Sequence, residues 1–122
     1  MKPLPVNMLA FECAILKADK PVLVVFGAYW DYGSRQLFEQ IEWCGKTLDG
    51  KLITARADIE YVPELFYEYN ILELPTMIIF EDGEPFKPYV GFHNLGDIDK
   101  YLDSFFGYRP YVSIFPNYEN NS

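Results

Sequence analysis

Cysteine and histidine are scarce in this chain of 122 residues, which has two cysteines, Cys13 and Cys44, and one histidine. The cysteines form no CxxC pair, so the dithiol and zinc motifs built on such pairs are absent. One histidine and two separated cysteines make no closed set of ligands, and we predict no metal site and no cofactor. We interpret both cysteines as buried thiols acting as small hydrophobic side chains, although the sequence leaves a Cys13–Cys44 disulfide open.

Positive charge and long apolar runs are also lacking. The 18 acidic residues outnumber the 10 Lys and Arg, giving a net charge of -8, and no run of bases occurs. Because an acidic surface repels phosphate backbones, nucleic-acid binding is disfavoured. The longest apolar runs, PVLVVFGA and LPTMIIF, are too short to span a bilayer, and the N-terminus does not resemble a signal peptide. We therefore predict a cytoplasmic protein without a membrane span.

The remaining composition is that of one globular domain, with 50% hydrophobic and 23% charged residues. Apolar spacing and turn signals predict an α-β-α-β-α-β-β-α order. The segments, in that order, are MLAFECAILKA, PVLVVFGA, residues 33–48, KLITARADI, VPELFYEYNI, the two strands of LPTMIIFEDGEPFKPYV, and NLGDIDKYLDSFF. Helices between the early strands suggest crossover connections, so we predict an α/β sheet with an antiparallel hairpin at one edge.

Several local signals refine this order. Residues 1–7 contain two prolines and should run extended, Asp82-Gly83 predicts the hairpin turn, and Asn94 should be the N-cap of the last helix. Pro63 suits the first turn of its helix. The second helix should bury one apolar face, formed by Leu37, Ile41, Cys44 and Leu48.

The loop YWDYGSR joins the Val-rich strand to the second helix and contains Asp31 and Ser34. Asp and Ser are preferred N-caps, so either residue should stabilise the helix by about 1 kcal/mol. A compatible alternative is that Asp31 presents a fixed anion to a partner. A serine hydrolase would need a base and an orienting group, whereas the chain has only His93 and no GxSxG motif. We predict no catalytic residue here.

The segments resemble the thioredoxin family from about residue 11 to residue 106. CAILKADKPVLVVFGAYW is similar to its first helix, turn and central strand. DGKLITARADIEYVPELFYEYNILELPTMIIFEDGE is similar to the next strand, helix and hairpin, and YVGFHNLGDIDKYL to the closing strand and last helix. The resemblance implies a thioredoxin-like α/β fold, with a central mixed β-sheet flanked by helices. The expected domain is 1–106, followed by a C-terminal tail, 107–122.

The family's CGPC motif maps onto Asp31-Tyr32-Gly33-Ser34, so both redox cysteines are missing. Thiol–disulfide exchange needs an attacking thiolate and a resolving thiol, and a carboxylate and a hydroxyl replace neither. Four further departures from the family pattern are Val25 for a buried Asp, Gly27 for a Trp, Glu39 for a Pro and Arg56 for a Lys. The main hypothesis is a redox-inactive, protein-binding member, acting as a chaperone, assembly factor or structural subunit. The alternative is an atypical thiol oxidoreductase using Cys44 or Cys13, and a third is glutathione-type ligand binding without turnover.

The resemblance also implies where another protein, or an extended peptide segment of it, would bind. Family members line a groove with the loop before the second helix, the cis-proline segment and the glycine region of the last strand. The candidate groove here comprises Trp30, Asp31, Tyr32, Gly33, Leu74, Pro75, Val90, Gly91 and Phe92, with the Leu74–Pro75 bond expected to be cis. Ordinary packing is the competing role for Tyr29, Trp30 and Phe92. The tail adds four candidate contact residues, Tyr108, Tyr111, Phe115 and Tyr118. The sequence does not predict the oligomeric state.

Overall fold

The computed structural model describes residues 4–5, 8–47, 50–92, 94 and 96–107. The chain divides into two compact units, Met1–Phe92 and His93–Ser122. The predicted contact residues of the tail lie outside the described residues, as do Leu48 and His93. The domain boundary at residue 106 therefore stays a prediction.

The first unit is built on a six-stranded mixed sheet. Its strands are β1 (Leu4–Pro5), β2 (Val22–Gly27), β3 (Ile53–Asp58), β4 (Thr76–Glu81), β5 (Glu84–Pro85) and β6 (Tyr89–Val90). The order is β1-β3-β2-β4-β5, with β6 also pairing with β4. β3 runs parallel to β1 and β2, whereas β4 is antiparallel to β2, β5 and β6. The predicted mixed sheet with an antiparallel edge is confirmed.

The helices lie close to their predicted positions. They are α1 (Met8–Ala10), which continues into a π-helix (Phe11–Leu16), then α2 (Tyr32–Thr47), α3 (Pro63–Glu68) and, in the second unit, α4 (Asp97–Phe106). Pro63 occupies the first turn of α3, as expected. The N–H groups in the first turn of a helix have no intrahelical acceptor, so proline, which lacks an N–H, loses no hydrogen bond there. None of the helices formed by the described residues is long and apolar enough to cross a bilayer. The cytoplasmic location stays a prediction.

The two faces of β2 bury different sets of side chains because side chains alternate along a strand. One face joins a core cluster with the π-helix and α3, which includes Phe11, Ile15, Val22, Val24, Phe26, Leu65 and Phe66. The other face turns toward α2, since a Cβ at Gly27 would meet Ser34 and Phe38 of that helix. Of the predicted apolar face of α2, the three residues that the structure describes are fully buried, namely Leu37, Ile41 and Cys44.

The hairpin turn is confirmed at Asp82-Gly83. Both residues have positive φ, 53° and 81°, and Glu81 pairs with Glu84, which is the geometry of a two-residue type I′ turn. The returning strand is not continuous, however. It pairs with β4 as β5 and again as β6, with residues 86–88 between them.

Two sequence predictions are wrong. Cys13 is exposed, because the buried positions of the π-helix are Phe11 and Ile15 and Cys13 lies between them. Asn94 is not the N-cap of α4; Gly96 takes that position and makes no side-chain cap. Asn94 Oδ1 instead accepts a hydrogen bond from the Gly96 N–H at 2.8 Å. The Asn94 side chain thus closes a turn before the helix rather than capping it.

Candidate functional site

The loop between β2 and α2 is held by its own backbone and by Arg35. The Asp31 N–H donates to the Ala28 carbonyl at 3.1 Å, closing a turn. The Arg35 guanidinium donates to the Tyr29 carbonyl at 2.7 Å and lies 5.9 Å from the centre of the Tyr32 ring. These contacts hold the loop while leaving Trp30 and Tyr32 exposed. No local sequence pattern indicates this role of Arg35.

Asp31 caps α2, in agreement with the structural interpretation of the loop. Its Oδ2 accepts from the Ser34 N–H and from the Ser34 hydroxyl, both at 2.8 Å. Since α2 begins at Tyr32, Asp31 is the N-cap and Ser34 the third helical residue, the usual capping geometry. Ser34 is completely buried, and its hydroxyl proton is already donated to a carboxylate. This arrangement orders the helix start and does not activate a nucleophile.

The three segments of the candidate groove meet at Gly33. A Cβ placed on Gly33 would lie 3.2 Å from Pro75 Cδ and 3.5 Å from Phe92 Cβ. The Leu74–Pro75 bond is cis, as expected. The Gly91 N–H donates to the Pro75 carbonyl at 2.7 Å, which joins the end of β6 to the proline segment. The loop before α2, the Leu74–Pro75 pair and the end of β6 therefore form one continuous surface.

The candidate groove has an exposed apolar rim over a less accessible floor. Trp30 is 64% exposed, Tyr32 67% and Val90 45%. Pro75 is buried, and five residues are partly buried, namely Asp31, Gly33, Leu74, Gly91 and Phe92. Ordinary packing therefore does not account for Trp30. A partner-binding role for this surface stays a prediction.

A cavity of about 350 Å³, here called the side cavity, adjoins the candidate groove. Val90 belongs to both, and the opposite wall is the loop after α3, with Tyr69, Ile71 and Leu72. No sequence pattern indicates this cavity, because its walls come from segments that are distant in the chain and meet only in the folded protein. A second cleft, of about 160 Å³, lies between Tyr29, Arg35 and Arg56, and the Arg56 guanidinium lies 5.6 Å from the centre of the Tyr29 ring.

The two thiols have different environments. Cys44 is completely buried on α2, whereas Cys13 is exposed on the π-helix, and neither forms a disulfide. Burial excludes Cys44 from direct attack on an external disulfide, because a nucleophilic thiolate must reach its target. Cys13 is therefore the accessible thiol. Among the described residues, no group of three or more His, Cys, Asp or Glu side chains is arranged to hold a metal ion.

Comparison with known proteins agrees with this architecture. Residues 2–104 match the thioredoxin family. The chain is 34% identical over 95 residues to a thioredoxin of Rickettsia bellii, covering 78% of this chain and 90% of that protein. It is 32% identical over 82 residues to a Mycobacterium bovis thioredoxin, covering 67% of this chain and 71% of that protein. It spans only 18% of the bifunctional thioredoxin reductase/thioredoxin of Mycobacterium leprae, with 33% identity over 82 residues. This chain has the thioredoxin fold and belongs to the thioredoxin family.

Proposed function

We propose that this protein is a member of the family that binds an extended protein segment in the candidate groove and does not catalyse dithiol exchange there. The observation that carries the proposal is the convergence of three segments at Gly33, where a Cβ would lie 3.2 Å from Pro75 Cδ and 3.5 Å from Phe92 Cβ. The exposed Trp30 and Tyr32 stand at its rim. Exposed aromatic side chains around an ordered pocket are typical of protein-binding hot spots.

The chemistry of the helix start supports a non-catalytic role. The family's redox motif corresponds by resemblance to Asp31–Ser34, and the chain has no CxxC. Asp31 and Ser34 are bonded to each other at 2.8 Å, with the carboxylate as the acceptor. No sulfur is present in this pair to form a mixed disulfide with a substrate. The surface retains the shape for binding while lacking the atoms for exchange.

The second candidate is thiol chemistry at Cys13. The names of the relatives agree better with a thiol oxidoreductase than with a purely binding role, because the relatives described above are all named as thioredoxins. Cys13 is exposed, which such chemistry requires. Cys44 is completely buried, however, and is poorly placed to resolve a mixed disulfide on Cys13. This candidate therefore needs a resolving thiol from another molecule.

An insulin reduction assay with dithiothreitol separates the two candidates. We expect the wild-type protein to match the protein-free blank. The double variant Asp31→Cys/Ser34→Cys should accelerate reduction, because it restores a dithiol at a helix N-terminus, where the thiol pKa is lowered. Acceleration by the wild type that disappears in Cys13→Ser would reject the binding-only proposal in favour of thiol chemistry.

Peptide binding tests the groove directly. A capped, fluorescently labelled peptide with a central Leu-Val-Leu segment flanked by Ser is titrated by fluorescence anisotropy. We expect Trp30→Ala to weaken binding by about tenfold or more, the usual loss at an aromatic hot spot. Trp43→Ala is the matched control, because Trp43 is also exposed, at 46%, but lies outside the groove. Equal losses in both variants, or no binding by the wild type, would contradict the proposal.

A further inference from the structure

The side cavity is a feature of the first unit that the proposed function does not use. Its apolar lining includes Tyr69, Ile71, Leu72, Pro88 and Val90. Leu72 is 91% exposed, so water covers an apolar wall there. Val90 also belongs to the candidate groove, so the cavity and the groove share one lining residue.

The wall formed by the loop after α3 is held in place by backbone hydrogen bonds. The Ile71 N–H donates to the Phe66 carbonyl at 2.8 Å, and the Asn70 N–H to the Tyr67 carbonyl at 3.3 Å. Asn70 has a positive φ of 56°, a conformation that Asn tolerates better than most residues and that often ends helices. The Thr76 hydroxyl donates to the Glu73 carbonyl at 2.8 Å. The cavity wall is therefore an ordered structure, which reduces the entropic cost of binding a ligand.

The surroundings of the cavity are acidic. Residues 57–86 contain no Lys, Arg or His, and their eight acids are Asp58, Glu60, Glu64, Glu68, Glu73, Glu81, Asp82 and Glu84. Glu73 lines the cavity and is exposed. Glu68 is exposed as well and directly precedes the lining residue Tyr69.

One base lies beside the cavity. Lys87 precedes the wall residue Pro88, and its ammonium lies 5.7 Å from the centre of the Phe86 ring. A single lysine leaves the surroundings negative, because the lining carboxylate of Glu73 is joined by Glu68, which is exposed next to the lining residue Tyr69. Removing the charge of Lys87 should therefore change the affinity for a basic segment in the direction opposite to that caused by removing the charge of an acid.

We propose that the side cavity is a specificity pocket for an extended, basic protein segment, taking one of its apolar side chains while Glu68 and Glu73 attract Lys or Arg on either side. The proposal rests on the proposed function, since the segment lies in the candidate groove and reaches the cavity past Val90. Charge complementarity of this kind selects among partners and accelerates their association. Acidic or neutral segments would bind through the groove alone, and therefore more weakly.

The test uses three capped peptides of equal length that share the Leu-Val-Leu segment and differ in flanking residues, which are Lys, Ser or Glu. At low ionic strength we expect affinity to decrease in the order Lys, Ser, Glu, and the difference to shrink as salt screens the charges. Glu68→Gln/Glu73→Gln should weaken the Lys peptide by about three- to tenfold, since each exposed charge pair contributes modestly, and should affect the Ser peptide less. Lys87→Gln should strengthen the Lys peptide.

A matched double variant distinguishes the cavity from general attraction by an acidic protein. Glu39→Gln/Glu42→Gln removes two carboxylates of α2 that line the other cleft. An equal loss of Lys-peptide affinity in this variant would overturn the proposal, as would equal binding of the Lys and Ser peptides by the wild type. If the Ser peptide binds in a Trp30-dependent way without any Lys preference, the proposed function stands and this inference fails. If no peptide binds, both fail.

Discussion

Ser34, in the first turn of α2, lies so close to Gly27, at the end of β2, that no side chain fits at residue 27. A Cβ on Gly27 would lie 2.5 Å from Ser34 Oγ and 2.7 Å from Ser34 Cβ. These distances are far shorter than van der Waals contact. The glycine is therefore required by space at this strand–helix junction, directly beneath the capped start of α2.

We expect Gly27→Ala to reduce the free energy of unfolding by about 1–3 kcal/mol, because an added methyl group overpacks a filled core. Ser34→Gly removes both clashing atoms, so Gly27→Ala should cost less in that background. Urea denaturation of the wild type, both single variants and the double variant measures this coupling. Strictly additive effects would contradict the close approach.

Asp31→Ala should reduce the free energy of unfolding by about 1 kcal/mol, because the Ser34 N–H and hydroxyl lose their acceptor. Asp31→Asn should cost less, since its amide oxygen still accepts from the Ser34 N–H. Urea denaturation provides the measurement. Asp19→Ala is a suitable control, because Asp19 is an exposed acid outside the helices. Equal stability of Asp31→Ala and the wild type would show that the cap contributes nothing.

The cysteines should differ in reactivity. Because Cys13 is exposed and Cys44 completely buried, a thiol reagent such as DTNB should modify one cysteine rapidly in the native protein. The second should react only after denaturation with guanidinium. Cys13→Ser should abolish the rapid phase. Rapid labelling of both cysteines in the native protein would show that α2 opens readily.

Tyr69 should give stability a pH dependence on the alkaline side. Burial, followed by the charges of Glu68 and Glu84, raises its pKa above the ordinary value of 10.0. The unfolded chain then loses this proton at lower pH than the folded chain does. The stabilisation is complete below pH 10 and is lost as pH rises through the raised pKa.

The comparison variant for this prediction is Tyr69→Phe, which keeps the ring contacts with Phe11, Phe26 and Phe80. Denaturant unfolding at several pH values above and below 10 should show a steeper alkaline loss of stability for the wild type. Glu68→Gln/Glu84→Gln should lower the Tyr69 pKa toward 10.0 and reduce that difference. Identical slopes for the wild type and Tyr69→Phe would refute the raised pKa.

Much of the candidate site was predictable because its signals are local or belong to the family resemblance. The YWDYGSR loop lies between a continuous apolar strand and an amphipathic helix, so its position and the Asp31 cap follow from neighbouring residues. The Asn94 prediction failed for a related reason: the same side chain can close a turn or cap a helix, and the hydrogen bond to Gly96 decided between them. Local patterns identify the residue type needed but not which neighbouring N–H it accepts from.

The sequence by itself determined the order of the elements, the buried faces of β2 and α2, the hairpin at Asp82-Gly83 and the absence of a CxxC pair. Periodicity, turn chemistry and residue identity act over a few positions, so they can be read along the chain. Only the tertiary structure decided that Gly27 lies against Ser34, that Gly33 meets Pro75 and Phe92, and that Tyr69 and Val90 enclose a cavity. These relationships join residues distant in sequence, and the register of the sheet and the packing of α2 bring them together.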